Sequence, residues 1–284
     1  MLEKDIRFNY IITIHDKEYL IRDVMLSVLH VAGENSHIYP VLDGCSDLSE
    51  SIIDDIIKLY PKNKITKLFA DDVHELKSIN IGLNSSHQEG EGYNIILQDD
   101  VVLLDPEWEK KVIHLYHNFP QLGIVSFRHG GNISRELLLE QSTLDPVVDY
   151  IQSECGHYPQ LRPILKIGYF IFKEVAIKSP ICIPFKIIRE LHTPDEVYSP
   201  WDDTAYCYKV SAAGYANGVY ALNFVSEVFW GTTRNKSQKI SVEEVQAKNL
   251  ELFRKQHPSL PPLDEVKYQD KKYLIFYPGF DTIN

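Results

Sequence analysis

The sequence predicts an α/β fold: a Rossmann-like, mostly parallel central sheet with helices on both faces and a small extra region contributed by the second half. Three observations predict it. Short β-branched runs alternate with helical apolar patterns over the first 105 residues. Strand–helix–strand spacing of this kind implies right-handed crossovers and a parallel sheet. Polar and acidic clusters follow the strand-like runs, at the strand ends where such sheets bind their ligands.

Tyr10-Ile-Ile-Thr-Ile14 is short and β-branched and reads as the first strand. Between Glu18 and Val31, apolar residues at Leu20, Ile21, Val24, Leu26, Val28 and Leu29 suit an amphipathic helix. His37–Leu42 reads as a second strand, and Asp43-Gly-Cys-Ser-Asp47 is turn chemistry. Ser49–Tyr60 follows as a helix with Ser49 or Ser51 as its cap. Ile65–Phe69 is a third strand, Leu76–Ser86 a helix and Asn94–Gln98 a fourth strand. Three polar clusters, Thr13–Asp16, Asp43–Asp47 and Asp99-Asp100, therefore fall at strand ends and converge on one rim of the sheet.

The second half is less regular. Trp108–Phe119 reads as a helix with Trp108 in the core, Gly123–Phe127 as a strand, and 129–165 as an acceptor-side loop or lid. Lys166–Phe172 and Val219–Phe229 read as strands; Trp201–Gly214 and Val242–Gln256 read as helices.

The chain has 284 residues, 44% of them hydrophobic, enough to bury about three quarters of the unfolded surface. Its formal net charge of −11 lacks the basic footprint of generic nucleic-acid binding. A small anion can still be held by a metal or by backbone N–H groups. Cys45, Cys155, Cys182 and Cys207 are scattered with no Cys-x-x-Cys pair, which fits a reducing compartment and no structural zinc. The start, MLEKDIRFNY, lacks a signal-peptide pattern. No apolar stretch approaches the length of a membrane span, so a cytoplasmic location is expected, with room for peripheral contact at the inner face of the membrane.

The sequence contains four Asp-Asp pairs. Asp54-Asp55 lies in a helical pattern and reads as solvated surface. Asp71-Asp72 follows a strand and reads as a turn or cap. Asp99-Asp100 ends an unusually apolar strand. Adjacent carboxylates near a core need a cation or hydrogen bonds, and hard Mg²⁺ or Mn²⁺ prefer carboxylate oxygens. That pair is a metal site or a strand-end turn. Asp202-Asp203 opens a helix after Pro200-Trp201, as a cap or as a general base aimed at a cleft.

Taken together, these segments resemble the family 2 glycosyltransferases, which have the GT-A fold. YIITIHDKEYLIRDVMLSVL looks like that family's first strand and helix, VLDGCSDLSESII like its second strand and aspartate-glycine turn. YNIILQDDVVLLDPEW looks like its metal-binding strand end, and WDDTAYCYKVSAAGY like its acidic helix start. The likeness covers roughly residues 8–234, and the order and spacing of the four segments carry it. It implies a domain over 1–234, with 1–105 as the donor half and 106–234 as the acceptor and catalytic half. Residues 235–284 are then a C-terminal helix and tail packed on the same domain.

The resemblance implies roles. Thr13 and Asp43 match positions that contact the nucleoside. Asp99 and Asp100 match the acidic metal motif, with Gln98 where many members have a first aspartate. That departure assigns Asp100 to Mn²⁺ or Mg²⁺ and Asp99 to the ribose or the metal shell. His15 orients the first loop, and Glu75 and Asn80 line the donor site or satisfy their helix. Asp202-Asp203 matches a Glu-Asp pair whose second member is usually the base. No histidine stands in NFVSEVFWGTTR, where many members have one, leaving Ser226, Glu227 or water near the metal and Arg234 for a phosphate. His129 beside two glycines is a loop residue or a sugar contact.

The implied activity is inverting transfer of a sugar from a nucleoside-diphosphate donor, a UDP-sugar in the first instance, to an acceptor hydroxyl. Surface-glycan or polysaccharide synthesis is the setting, with a glycan, a lipid-linked saccharide or a protein as acceptor. The rival is a non-catalytic nucleotide-sugar-binding protein on the same fold. A nucleotidyltransferase or a dehydrogenase is disfavoured, because TIHDKEY is not a Gly-rich phosphate loop and no G-x-G-x-x-G follows the first strand.

Overall fold

The computed structural model describes residues 6–127, 167–172, 176, 178–198, 202–226, 251, 255, 272–276 and 279–283. The 129–165 loop, His129, Trp201, Glu227 and Arg234 lie outside the described residues, as does all of the 242–256 helix except Glu251 and Lys255, which are helical.

The first half alternates as the sequence predicts: β1 (Arg7–Ile14), α1 (Ile21–Val31), β2 (Ser36–Asp43), α2 (Ser49–Leu59), β3 (Lys64–Ile65), β4 (Leu68–Ala70), α3 (Glu75–Ser85) and β5 (Gly92–Gln98). Then come β6 (Val101–Leu103), α4 (Trp108–Asn118), β7 (Leu122–Ser126), β8 (Tyr169–Phe172), β9 (Ile181–Pro184), α5 (Phe185–Leu191) and α6 (Asp202–Ala212). β10 (Ala216–Tyr220), β11 (Phe224–Ser226), β12 (Lys272–Phe276) and β13 (Gly279–Ile283) complete the described elements.

The main sheet runs β13-β12-β8-β10-β7-β9-β5-β1-β2-β3, with β4 also on β2. The half built from the first 105 residues is parallel: β1 pairs with β2 and β5, and β2 with β3 and β4. The other half is mixed, because β9 enters antiparallel between β5 and β7, and the β12–β13 hairpin joins antiparallel through β8. The expected third strand is two short strands, β3 and β4, and the expected strand over 219–229 splits into β10 in this sheet and β11 paired with β6.

Strand alternation sorts side chains into two cores. Phe8, Tyr10, Ile12 and Ile14 of β1, with Tyr93, Ile95 and Leu97 of β5, pack toward α1 and α4, where Val24, Val28, Trp108 and Val112 are buried. Ile11, Val41 and Ile96 face the other way, against Ile79 and Leu83 of α3 and Tyr206 and Val210 of α6. Strands covered on both faces explain the near-continuous apolar runs. The helices present apolar stripes at helical spacing: Ile21, Val24, Met25 and Val28 are the buried face of α1. No helix among the described residues is long and apolar enough to cross a membrane.

Gly82 lets α3 lie close on β1. A Cβ there would stand 2.4 Å from Ile11 Cγ2, and Ile11 is fully buried in a central strand. Alanine is the better helix former by about 1 kcal/mol, yet overpacking a tight core costs about 1–3 kcal/mol. Gly82→Ala is expected to lower stability by about 1 kcal/mol net, read as a lower denaturant midpoint at unchanged slope. A rise would mean that the β1–α3 contact yields.

Candidate functional site

The parallel half brings the predicted strand ends together. Thr13, buried near the end of β1, is in register with Val41 on β2 and with Gln98 on β5. Asp43 ends β2 beside Ala70 of β4. The loops that follow these strands interlock through polar bonds. The His15 N–H donates to Asp99 Oδ2 at 2.8 Å, and His15 Nδ1 lies 2.6 Å from the Asp43 carbonyl oxygen. His15 thus joins three strand ends. The Asp43 carboxylate is almost wholly buried and accepts the Val73 N–H at 2.7 Å, fixing the loop ahead of α3.

Backbone strain gathers on the same rim. Asp16, Asp72 and His74 have φ of 48°, 52° and 72°, a region that disfavours residues with a Cβ. Gly44, at φ 62°, comes so close to the loop after β4 that a Cβ would stand 2.7 Å from Asp72 Cβ. This is where the aspartate-glycine turn needs its glycine.

The Asp99 carboxyl is held well above the ordinary aspartate range. Burial pushes it up to about 7; the Lys17 ammonium and the His15 N–H pull it back, while Asp100 and Glu75 push further. Lys17 Nζ lies 3.9 Å from Asp99 Oδ1.

Gln98 points into a second group of side chains. Its Nε2 donates to Glu75 Oε1 at 2.8 Å, and Glu75 Oε2 lies 3.9 Å from Lys178 Nζ. Its backbone N–H donates to Ser179 Oγ at 2.7 Å. The glutamine amide supplies a donor to Glu75 that an aspartate at 98 would lack. Lys178 and Asp203 line one cavity, whose other walls are mainly apolar and include Leu76, Ile79, Ile96 and Ile124. Asp202 and Asp203 open α6. Asn80, by contrast, turns to the framework: its Nδ2 donates to the Pro194 carbonyl at 3.0 Å and to Glu196 at 3.2 Å.

Lys17, Lys178 and Ser179 belong to the site without having been singled out in the sequence. Nor does the expected cap of α2 form from its serines. Leu48 is the N-cap without a side-chain bond, while Asp47 accepts the Ser49 N–H and the Ser49 hydroxyl accepts the Lys17 N–H.

A hard divalent cation suits a pair of carboxylates at a strand end, since Mg²⁺-like ions use one or two carboxylates and complete their shell with water and substrate phosphates. Asp100 and Asp99 would hold it, at the end of a strand whose carboxylates need a cation or hydrogen bonds to offset burial. Among the described residues, Asp16, Cys45 and Asp47 also bring ligand atoms within 4.8 Å of one another. Their carboxylates already accept the Ser46, Glu18 and Ser49 N–H groups, and burial pushes the Cys45 thiol up to about 11. Through these bonds the two aspartates clasp the first two loops together.

Comparison with solved structures finds the same architecture. S. aureus TarS 1–349 in complex with UDP-GlcNAc superposes with a TM-score of 0.61 at 12% identity, over 92% of this chain and 69% of that one. The chain has the GT-A glycosyltransferase fold. The mannosyltransferase PcManGT from Pyrobaculum calidifontis, in complex with GDP-Man and Mn²⁺, shares this GT-A likeness with a TM-score of 0.55 at 11% identity, over 90% and 76% of the two chains. Against the longer S. aureus TarS structure the TM-score is 0.52, and the match spans 44% of that chain. No protein-family model matches the sequence, and no curated protein sequence does.

Proposed function

We propose that the chain is an inverting glycosyltransferase of the family 2 type, moving a sugar from a nucleoside-diphosphate donor, a UDP-sugar in the first instance, to an acceptor hydroxyl. The observation that carries this reading is the gathering of Thr13, His15, Asp43, Asp99 and Asp100 on one rim, with a second carboxylate, Asp203, in a cavity at the start of α3. Residues 1–105 serve as the donor half, and 106–234 supply the acceptor side and the base. The solved structures of this fold bound to UDP-GlcNAc, or to GDP-Man and Mn²⁺, support the donor class.

Thr13, His15 and Asp43 position the nucleoside, and Glu75, Gln98 and Asn80 shape or support the donor pocket. Asp100 and Asp99 would hold Mn²⁺ or Mg²⁺, which would supply positive charge to the leaving diphosphate. Asp203 takes the proton of the acceptor hydroxyl; that oxygen forms its bond to the anomeric carbon, and the anomeric C–O bond breaks with its electron pair going to the diphosphate. Asp202, beside the base, belongs to the same helix start. Most of the rate comes from placement and fixed charge. The acceptor is a glycan, a lipid-linked saccharide or a protein, in cytoplasmic synthesis of surface glycan.

Thermal shift with a panel of nucleotide-sugars, with and without Mn²⁺, tests the donor site. At least one donor is expected to raise Tm only when metal is present, because a ligand at a hundredfold its Kd stabilises by about 2.7 kcal/mol. Asp100→Ala is expected to abolish that increment while its own Tm stays near that of the wild type. A panel in which no donor stabilises the fold, or an Asp100→Ala variant that responds in full, sinks the reading.

A further inference from the structure

Lys17 is an uncommon lysine. Its side chain is 5% exposed, deep for an ammonium, although it stands on the loop that leads out of β1. Its backbone leaves it little freedom: the N–H donates to Ser49 Oγ at 2.9 Å, and the carbonyl accepts the Leu20 and Ile21 N–H groups at 3.0 and 2.9 Å as α1 begins. Nζ lies 3.9 Å from Asp99 Oδ1 and 5.8 Å from the centre of the Tyr19 ring. The other Asp99 oxygen accepts the His15 N–H at 2.8 Å. Both oxygens of Asp99 are thus engaged by the loop after β1, while the neighbouring residue, Asp100, leaves the strand end from the next position.

We propose that Lys17 is a positioning residue that acts as a built-in counter-ion: it competes with the cation for Asp99, leaves Asp100 as the principal carboxylate ligand, and holds the site's intrinsic metal affinity low until a donor diphosphate adds its own oxygens. This rests on the donor-site reading above. It follows from charge and confinement. A buried ammonium needs an anion to repay its desolvation, and Asp99 stands within ion-pair distance of it. Asp16, Asp43, Asp47, Asp99 and Asp100 gather at these strand ends, and the fixed positive charge of Lys17 among them repels an incoming divalent ion and weakens its binding without blocking the site. Lys17 also pins the loop carrying His15 to the end of β5, so the nucleoside-binding and metal-binding strand ends move as one body.

Mn²⁺ binding to the full chain tests it, measured by calorimetry or by the paramagnetic signal of the free ion, first with the metal alone and then with UDP added. Lys17→Met is expected to bind Mn²⁺ alone about tenfold more tightly than the wild type, since a nearby repulsive charge is gone, with a smaller further gain on adding UDP. Lys17→Arg, which keeps the charge, is expected to return toward wild-type affinity. Lys17→Gln carries the same expectation as Lys17→Met should the latter fail to fold. A purely structural role would lower Tm and leave Mn²⁺ affinity alone, and that result overturns the proposal. Asp100→Ala separates the two levels. If it loses Mn²⁺ while the Lys17 variants match the wild type, only the role of Lys17 falls. If it binds Mn²⁺ like the wild type, the donor-site reading falls and takes Lys17 with it.

Discussion

Asp203→Asn is expected to lower kcat for sugar transfer by about 10²–10⁴-fold, the usual share of a positioned general base, with donor affinity within a few-fold of the wild type. Asparagine keeps the size of the side chain and can still accept hydrogen bonds at the start of α6, so the fold and the cavity are retained. It cannot accept a proton from a hydroxyl. Asp203 shares its cavity with Lys178 and the first turn of α3, beside the Gln98–Glu75 pair that leads back to the acidic rim. A loss confined to kcat, with KM for the donor unchanged, marks an interaction made only in the transition state. Release of nucleoside diphosphate in a single turnover measures it. An unchanged rate would move the base elsewhere, and a protein that only binds nucleotide-sugars would show no turnover for the variant to lose.

The first 105 residues were legible in the sequence because their information is local. Runs such as YIITI and NIILQ are apolar on both faces because both faces are covered, and the helices between them carry clean stripes. Parallel strands all end on one edge of their sheet, where ligands bind, so the meeting of Thr13, Asp43 and Asp99 could be inferred before any distance was known. Beyond residue 105 the decisive contacts are distant in sequence. Ile181–Pro184 is a four-residue strand that inserts antiparallel between β5 and β7, and nothing local distinguishes its apolar run from the start of the helix that follows. The alternation through 219–229 hides a change of sheet: Tyr220 ends β10, and Phe224 resumes in β11 against Leu103. The two lysines of the site were illegible for a similar reason. Lys17 is defined by Asp99, 82 positions away, and Lys178 by Glu75. Gln98 could be seen as a departure from the family motif, but its cause, the Glu75 carboxylate, became visible only in the fold.

Glu109→Ala is expected to destabilise the protein by about 3 kcal/mol, because it strands several hydrogen-bond donors at once and each buried orphan costs about 1–3 kcal/mol. Glu109, in the first turn of α4, sits beneath the sheet and accepts from the Tyr10 hydroxyl at 2.9 Å, from the Ser36 hydroxyl and from the Gly33 N–H at 3.0 Å. One carboxylate therefore ties α4 to β1, to β2 and to the turn before it, behind the strands that carry the acidic rim. Burial raises its pKa above the ordinary glutamate value, against the opposing pull of these three bonds. A carboxyl that holds its proton more tightly when folded favours the fold most below its unfolded pKa, and the advantage is lost as pH rises through the raised folded value. Glu109→Gln, which cannot ionise, removes that dependence. The Tm difference between wild type and Glu109→Gln is expected to be most in favour of the wild type at low pH and to shrink on passing into the neutral range. A difference that widens with pH would mean that the three hydrogen bonds outweigh burial, and that the ionised carboxylate is the form the fold prefers.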